Sequence, residues 1–395
     1  MALPKTADIV IIGGGVNGAS IAFNLAERGV KNVVLLEKET LAGGPTGRSS
    51  AILRQHYSNE VTARMAYESL KEFQEFSQRV GGECGYVKTG FMMIVDSRDA
   101  EGLKKNVEMQ QRIGIKTQII KASDVKEMDP HMNTDDFLYA AYESEAGHAD
   151  PVLTTSSYGE AAKKLGVQVS QKTRVLAIKT KNNRIVGVET DQGTIETRVV
   201  VAAAGPWTPP LVALLGIALP IHACRAQICI VERPAQMRGA IHPIYVDFVH
   251  SIYIRPEEGR QTLVGSVDPK EAEDRAANPD QYKEAVDTRF RDEMLEKLEK
   301  RVPVLKHGLY KGGWVGLYDI SPDWHPVIDQ VGPEGLYIVA GFSGHGFKLG
   351  PATGDMVADL VTRGKSAVPD ANFFNYERLV KKDYIKGQYE YSIAG

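Results

Sequence analysis

Apolar residues along this chain fall into short runs separated by glycine-rich turns and by stretches of helical period. Ile9 to Ile12 is a β-branched run, followed directly by Gly13, Gly14 and Gly15 and then Asn17 and Gly18. Ala19 to Arg28 has helix-forming composition, with Ile21, Phe23 and Leu25 among small residues and Gly29 placed to end the helix. Val33 to Leu36 is a second apolar run, closed by Glu37. This order predicts strand, glycine turn, helix and parallel strand. Further helices are expected from about Asn59 to Val80, from Ala100 to Ile113 and from Ser123 to Met128, with a strand from Gly85 to Val95. Asp150 before Pro151 reads as an N-cap and first helical position.

Beyond that helix the pattern predicts strands over 167–170, 174–180 and 185–190, with turns at Asn182-Asn183 and at Asp191 to Gly193. Val199 to Gly205 is apolar on both faces and is expected to return to the parallel sheet beside the first strand. Pro220 to Lys311 alternates like an antiparallel sheet with one face covered, interrupted by a charged helix from Pro279 to Lys300. Gly335 to Gly341 then reads as a buried strand, leading through a glycine loop into a helix from about Gly350 to Thr362. The expected fold class is α/β with an α+β second lobe. A Rossmann-like domain with a mixed parallel sheet would be built from 1–84, 145–219 and 320–395, and an antiparallel-sheet substrate domain from 85–144 and 220–319.

Composition narrows the chemistry. At 395 residues and 43% apolar content the chain can bury a substantial core. Its net charge of −3, from 47 basic and 50 acidic side chains, provides no footprint for nucleic acid. Three cysteines without C-x-x-C spacing argue against a disulfide framework and against a metal site. No apolar run approaches the roughly 20 residues of a membrane span, and glycines interrupt the first apolar segment, so no export signal is read and a cytoplasmic location is expected.

Gly13, Gly15 and Gly18 have G-x-G-x-x-G spacing. The first glycine permits a tight turn, the second a close approach of backbone to a pyrophosphate, and the third close packing of helix on strand. The pyrophosphate would rest on the helix N-terminus near Val16 and Asn17. Glu37, 19 residues after Gly18, is placed to accept hydrogen bonds from ribose hydroxyls, with Lys38 beside it. The loop Thr46-Gly-Arg48-Ser49-Ser50 is richer in small donors than a plain connection needs, and Val175 lies on a strand expected to pass the adenine.

Four segments together resemble the FAD-dependent D-amino acid oxidase and sarcosine oxidase family. They are the first glycine turn with Glu37, the loop Thr46 to Ser50, the strand Val199 to Trp207, and Gly341-Phe-Ser-Gly-His-Gly-Phe-Lys348. The last is the most specific and looks most like monomeric sarcosine oxidase and the sarcosine oxidase β subunit. The resemblance implies FAD, further contacted by Ala204, Gly205, Trp207, Gly341, Gly344, His345, Gly346, Phe347 and Lys348. It implies oxidation of an amino acid or a secondary amine such as sarcosine or proline, by hydride transfer to the flavin, to an imine that hydrolyses. Arg54 matches the family's arginine after the flavin loop and, with Lys348, would hold a substrate carboxylate. His345 would orient the substrate or tune its proton balance, as an imidazole that titrates near working pH.

Two departures are visible. Tyr253 stands where monomeric sarcosine oxidases have a lysine that assists oxygen reduction, with Arg255 two residues on and expected to share its face. Gly316 stands where they have a flavin-bonding cysteine, so FAD is expected to be noncovalent. Tyr318 could line the substrate pocket, whereas Trp324 and His325 are expected to pack a turn between Pro322 and Pro326. The expected partners are a small amino acid or amine and, as electron acceptor, O2, a protein or a quinone, in a homo- or hetero-oligomer. Alternatives are a D-amino acid or 2-hydroxy acid dehydrogenase and an FAD-bearing subunit of an electron-transfer complex.

Overall fold

A computed structural model describes residues 3–237, 242–366 and 371–386. Ile9–Ile12 lies at the centre of a six-stranded sheet between Val33–Leu36 and Val199–Ala202, pairing in parallel with both. Gln168–Ser170 extends one side, Leu336–Ala340 the other, and the antiparallel strand Val327–Gln330 closes that edge. All four residues of both N-terminal strands are buried, which explains their lack of polar alternation.

The helix Val16–Glu27 covers one face, packed against Pro151–Lys164 and Gly346–Arg363. A Cβ at Gly350 would lie 2.8 Å from Val16 Cγ2, and one at Gly354 only 2.0 Å from Ser20 Oγ. Two glycines one turn apart therefore let the helices approach closely. The other face is covered by three antiparallel strands, Val175–Lys181, Arg184–Thr190 and Gly193–Glu196, whose Ile178, Ile185 and Ile195 pack with Val10, Ile12 and Leu36.

A second sheet has eight strands in the order Leu309–Ile320, His222–Glu232, Gln261–Ser266, Ile252–Glu257, Ile244–Asp247, Phe91–Ile94, Tyr139–Glu143 and Thr117–Lys121. All neighbours are antiparallel except Ile244–Asp247 with Phe91–Ile94. Both faces are buried, rather than one. Ile252 and Ile254 join Phe290, Met294 and Leu298 of the helix Thr288–Arg301, while Tyr253 on the opposite face packs in the cluster that holds Leu103 and Val107.

Four elements differ from the sequence expectation. The helix expected over 59–80 breaks at Glu75 into Glu60–Gln74 and Phe76–Val80, with Asn59 capping the first through Thr62 N–H at 2.8 Å. The strand expected over 85–95 divides at Gly90, whose φ of +77° turns the chain from Val87–Lys88 to Phe91–Ile94, in different sheets. The charged helix starts at Thr288 rather than Pro279, because Asp280 and Asp287 are used in contacts with Trp207 and Arg225. The last long helix starts at Gly346, four residues early, and takes Phe347 and Lys348 into its first turn. Among the described residues no helix is long and apolar enough to cross a membrane.

Candidate functional site

The first glycine turn is dictated by close approach. Gly13 has φ +112° and a Cβ there would sit 2.3 Å from Ala203 O, while one at Gly18 would sit 1.9 Å from Gly13 O. Gly15 is the N-cap of Val16–Glu27, whose first turn holds no acidic side chain, so its N-terminus suits an anion. Thr46 Oγ1 reaches back over it, accepting Val16 N–H at 3.2 Å. The Glu37 carboxylate is fixed just past its strand by Gly14 N–H and Glu39 N–H, both at 2.7 Å.

These residues open on a cavity of about 1250 Å3. Its wall contains Gly13, Gly15, Val16, Asn17, Glu37, Lys38, Thr46, Arg48, Ser49, Ser50, Val175, Ala204, Gly205, Trp207, Gly344, Gly346 and Phe347. Gly18, Gly341, His345 and Lys348 are absent from that wall. Gly18 serves helix packing, and Gly341, at φ +83°, turns the chain, with its N–H donated to Asp319 Oδ2 at 2.6 Å. The groups lining the cavity fit FAD. It exceeds the usual few hundred to about 1,000 Å3 of a small-molecule site. Asn17 Oδ1, at the helix N-terminus, is buried with no partner among the described residues, as a group awaiting a ligand would be.

At one end Lys38 Nζ lies 3.6 Å from the Trp207 ring centroid. Asp280, from the segment misread as helix, binds both: it pairs with Lys38, accepts Trp207 Nε1–H at 2.9 Å and meets Arg174 at 3.1 Å. At the other end the strand Leu309–Ile320 brings Tyr318 and Asp319 beneath the glycine loop, where a Cβ on Gly344 would touch the Tyr318 ring at 2.9 Å. Burial pushes the Asp319 carboxyl up to about 6 and the Tyr318 phenol up to about 12. At Gly316 a Cβ would meet Arg48 Cβ at 3.1 Å, so the loop Thr46 to Ser50 lies against that strand.

A second pocket, of about 120 Å3, adjoins this end and shares Ser49, Ser50, Tyr318, Gly344 and Phe347 with the large cavity. Arg54, Tyr253, His345 and Lys348 all line it. Arg54 donates to His56 O, lies over the Tyr57 ring at 4.3 Å and points a second N–H toward His345 Nδ1 at 3.4 Å. Tyr57 Oη is 3.0 Å from the same nitrogen. Arginine has only donors, so Nδ1 is the acceptor and the imidazole is neutral. Burial, then Lys348 and Arg54, hold His345 well below its usual range, which removes it from titration near neutrality. Burial and Arg54 likewise depress Lys348 far below an ordinary lysine.

Tyr253 packs across Gly265, its partner in the sheet, where a Cβ would be 2.3 Å from the ring. Arg255, on the same face as Tyr253, engages Glu257 and His148, both at 2.7 Å, and does not line the pocket. Beneath Arg54 the buried Glu143 accepts Gln55 N–H at 2.8 Å, and burial pushes its carboxyl up to about 7. Trp324, expected only to pack its turn, lines the small pocket, whereas His325 does pack, through Asn59 and Asp323. Sequence reasoning missed Tyr57, Glu143 and Asp280. Tyr57, three residues past Arg54, carried a usable signal; the other two are defined by contacts remote in sequence.

The chain is similar to known flavoproteins over nearly its whole length. Sarcosine oxidase subunit beta of Rhodobacter capsulatus is 24% identical over 387 residues, covering 96% of this chain and 90% of that protein. Mitochondrial sarcosine dehydrogenase of Homo sapiens is 27% identical over 394 residues, but this chain spans only 41% of its length. The crystal structure of L-proline dehydrogenase from P. horikoshii superposes with a TM-score of 0.89 at 30% identity, covering 97% of this chain and all of that one. Residues 8–360 match the family model described as DAO, FAD dependent oxidoreductase, and the chain belongs to that family of FAD-dependent flavoproteins.

Proposed function

We propose that this chain oxidises a small amino acid with a secondary amine, of the sarcosine or proline kind, in the pocket formed by Arg54, Tyr253, His345 and Lys348. The observation that carries this reading is the junction of that pocket with the cavity that fits FAD. Its volume of about 120 Å3 suits a few heavy atoms rather than a long side chain. The likeness to L-proline dehydrogenase, at 30% identity, supports the substrate class.

Gly13, Gly15, Val16, Asn17 and Glu37 would hold the dinucleotide, and the loop and helix from Gly344 to Phe347 the flavin end. FAD held there would supply the two-electron acceptor for a hydride from the carbon next to the substrate nitrogen. Arg54 clamps the carboxylate and so fixes that carbon's orientation. The substrate enters as a zwitterion, and its nitrogen must lose a proton before the C–H bond breaks. Lys348, depressed by burial and Arg54, takes that proton on Nζ and becomes a cation beside the carboxylate. Neutral His345 keeps Nδ1 on Tyr57 and Arg54 and holds the guanidinium in place. The imine product is then hydrolysed by water.

Anaerobic flavin reduction by L-proline and sarcosine, compared with pyrrolidine and dimethylamine, tests the clamp. Reduction should depend on the carboxylate; equal rates for the amines lacking it would overturn this reading. A second reading, a subunit of a heteromeric enzyme, is favoured by the likeness to the Rhodobacter capsulatus β subunit. A solution mass equal to that of one or more copies of this chain, with full flavin reduction, would exclude a need for other subunits.

A further inference from the structure

The turn between Pro322 and Pro326 contains a conformation that its sequence does not favour. Trp324 has φ +62°, in the left-handed region that a bulky aromatic residue rarely adopts. Such a conformation persists only where surrounding contacts impose it.

Those contacts are on either side of Trp324. Asp323 accepts Arg378 Nε–H at 2.8 Å, His325 N–H at 3.2 Å and Ile385 N–H at 3.2 Å. Arg378 also donates to His325 O and Pro326 O, both at 2.9 Å. Ser321 Oγ donates to His325 O at 2.7 Å, and the His325 ring donates to Asp323 O at 2.6 Å. The Asp323 side chain is 0% exposed and that of Arg378 4%, so this is a buried framework rather than a surface turn. Within it the backbone of Trp324 is pinned by its own N–H to Ser321 O at 3.2 Å.

The indole takes no part in this framework: among the described residues it has no hydrogen-bond partner. Trp324 lines the small pocket with Arg54, His345, Lys348 and Tyr253. A large aromatic ring, held by strained backbone at the edge of a pocket of about 120 Å3, limits what side chain can accompany the clamped carboxylate.

We propose that Trp324 is the specificity-determining wall of the amine pocket, excluding amino acids with large side chains; this rests on the reading of that pocket as the substrate site. Glycine adopts φ +62° freely, so Trp324→Gly removes the wall and relieves the strain together. Trp324→Phe keeps an aromatic wall as the conservative control.

The test uses the FAD-loaded protein and two readouts. In the first, anaerobic flavin reduction is measured with L-proline and with N-methyl-L-phenylalanine. The glycine variant should raise the efficiency ratio of the large substrate to the small one by at least about tenfold, the size of effect a pocket wall exerts, and the phenylalanine variant much less. In the second, flavin absorbance is titrated with acetate and phenylacetate, which requires no turnover. The glycine variant should tighten phenylacetate selectively. Unchanged ratios in a variant that retains FAD and its melting temperature would overturn the wall. Absence of reduction by any amino acid in the parent protein would overturn the substrate reading, with the titration still deciding whether Trp324 bounds the pocket.

Discussion

Arg54 Nη2 and His345 Nδ1, 291 residues apart in sequence, lie 3.4 Å apart at the wall of the small pocket. One follows the loop Thr46 to Ser50 and the other stands at the N-cap of the last long helix, so two segments far apart in sequence meet at the small pocket. A neutral imidazole, a backbone carbonyl and an aromatic face fix the orientation of that guanidinium, as the proposed carboxylate clamp requires.

Replacing Arg54 with Ala should therefore raise KM for carboxylate substrates about 100-fold, corresponding to roughly 3 kcal/mol for charge-assisted hydrogen bonds. FAD content should be unchanged, because Arg54 does not line the large cavity. Steady-state kinetics with the flavin absorbance spectrum check both.

Lys348→Met should lower the rate of flavin reduction at neutral pH while leaving the fold intact. Lys348 is depressed in the folded protein and available to take the substrate proton, so its loss leaves deprotonation to bulk water. The acid limb of the reduction rate should move to higher pH, toward the free substrate ammonium. A profile of flavin reduction against pH reads this shift.

Glu143 carries a stability signature. Its carboxyl rises from 4.5 to about 7 on folding because burial disfavours the charged form. Its contribution is thus fully present below pH 4.5 and is lost as pH rises through 7. Glu143→Gln should gain stability relative to the parent across that window, by on the order of 3 kcal/mol at the upper end. Denaturant melts at pH 4.5, 6 and 8 measure it.

Asp280 binds Lys38, Trp207 and Arg174 at one end of the large cavity. These groups are partly exposed, so each contact is weak. Asp280→Ala should accelerate FAD release about fivefold, matching a loss of roughly 1 kcal/mol. Fluorescence of flavin released on dilution gives the rate.

Much of this was legible in the sequence, for reasons that differ by residue. Gly13 and Gly18 were readable because a Cβ at either would collide with backbone, which leaves no alternative residue. Val199 to Ala202 was readable because burial on both faces removes polar alternation. Gly346 to Leu349 looked like loop because glycine disfavours helix locally, yet Gly350 and Gly354 are there to seat the helix on Val16 and Ser20. The segment 279–287 has helical composition, but Asp280 and Asp287 are drawn to arginines, a lysine and an indole from distant parts of the chain. Trp324 looked like loop packing because nothing in Pro322 to Pro326 announces a left-handed tryptophan; Arg378 and Ile385, more than 50 residues on, help impose it.

A secondary amino acid is expected to reduce FAD bound between the two ends of this chain. Anaerobic mixing of the FAD-loaded protein with L-proline and with sarcosine, followed by the flavin's blue-region absorbance, tests it most directly. Full bleaching by at least one of them is expected, about 100-fold slower in Arg54→Ala at the same subsaturating concentration. A flavin that keeps its oxidised spectrum with every secondary amino acid supplied, or a purified chain that binds no FAD, would contradict it.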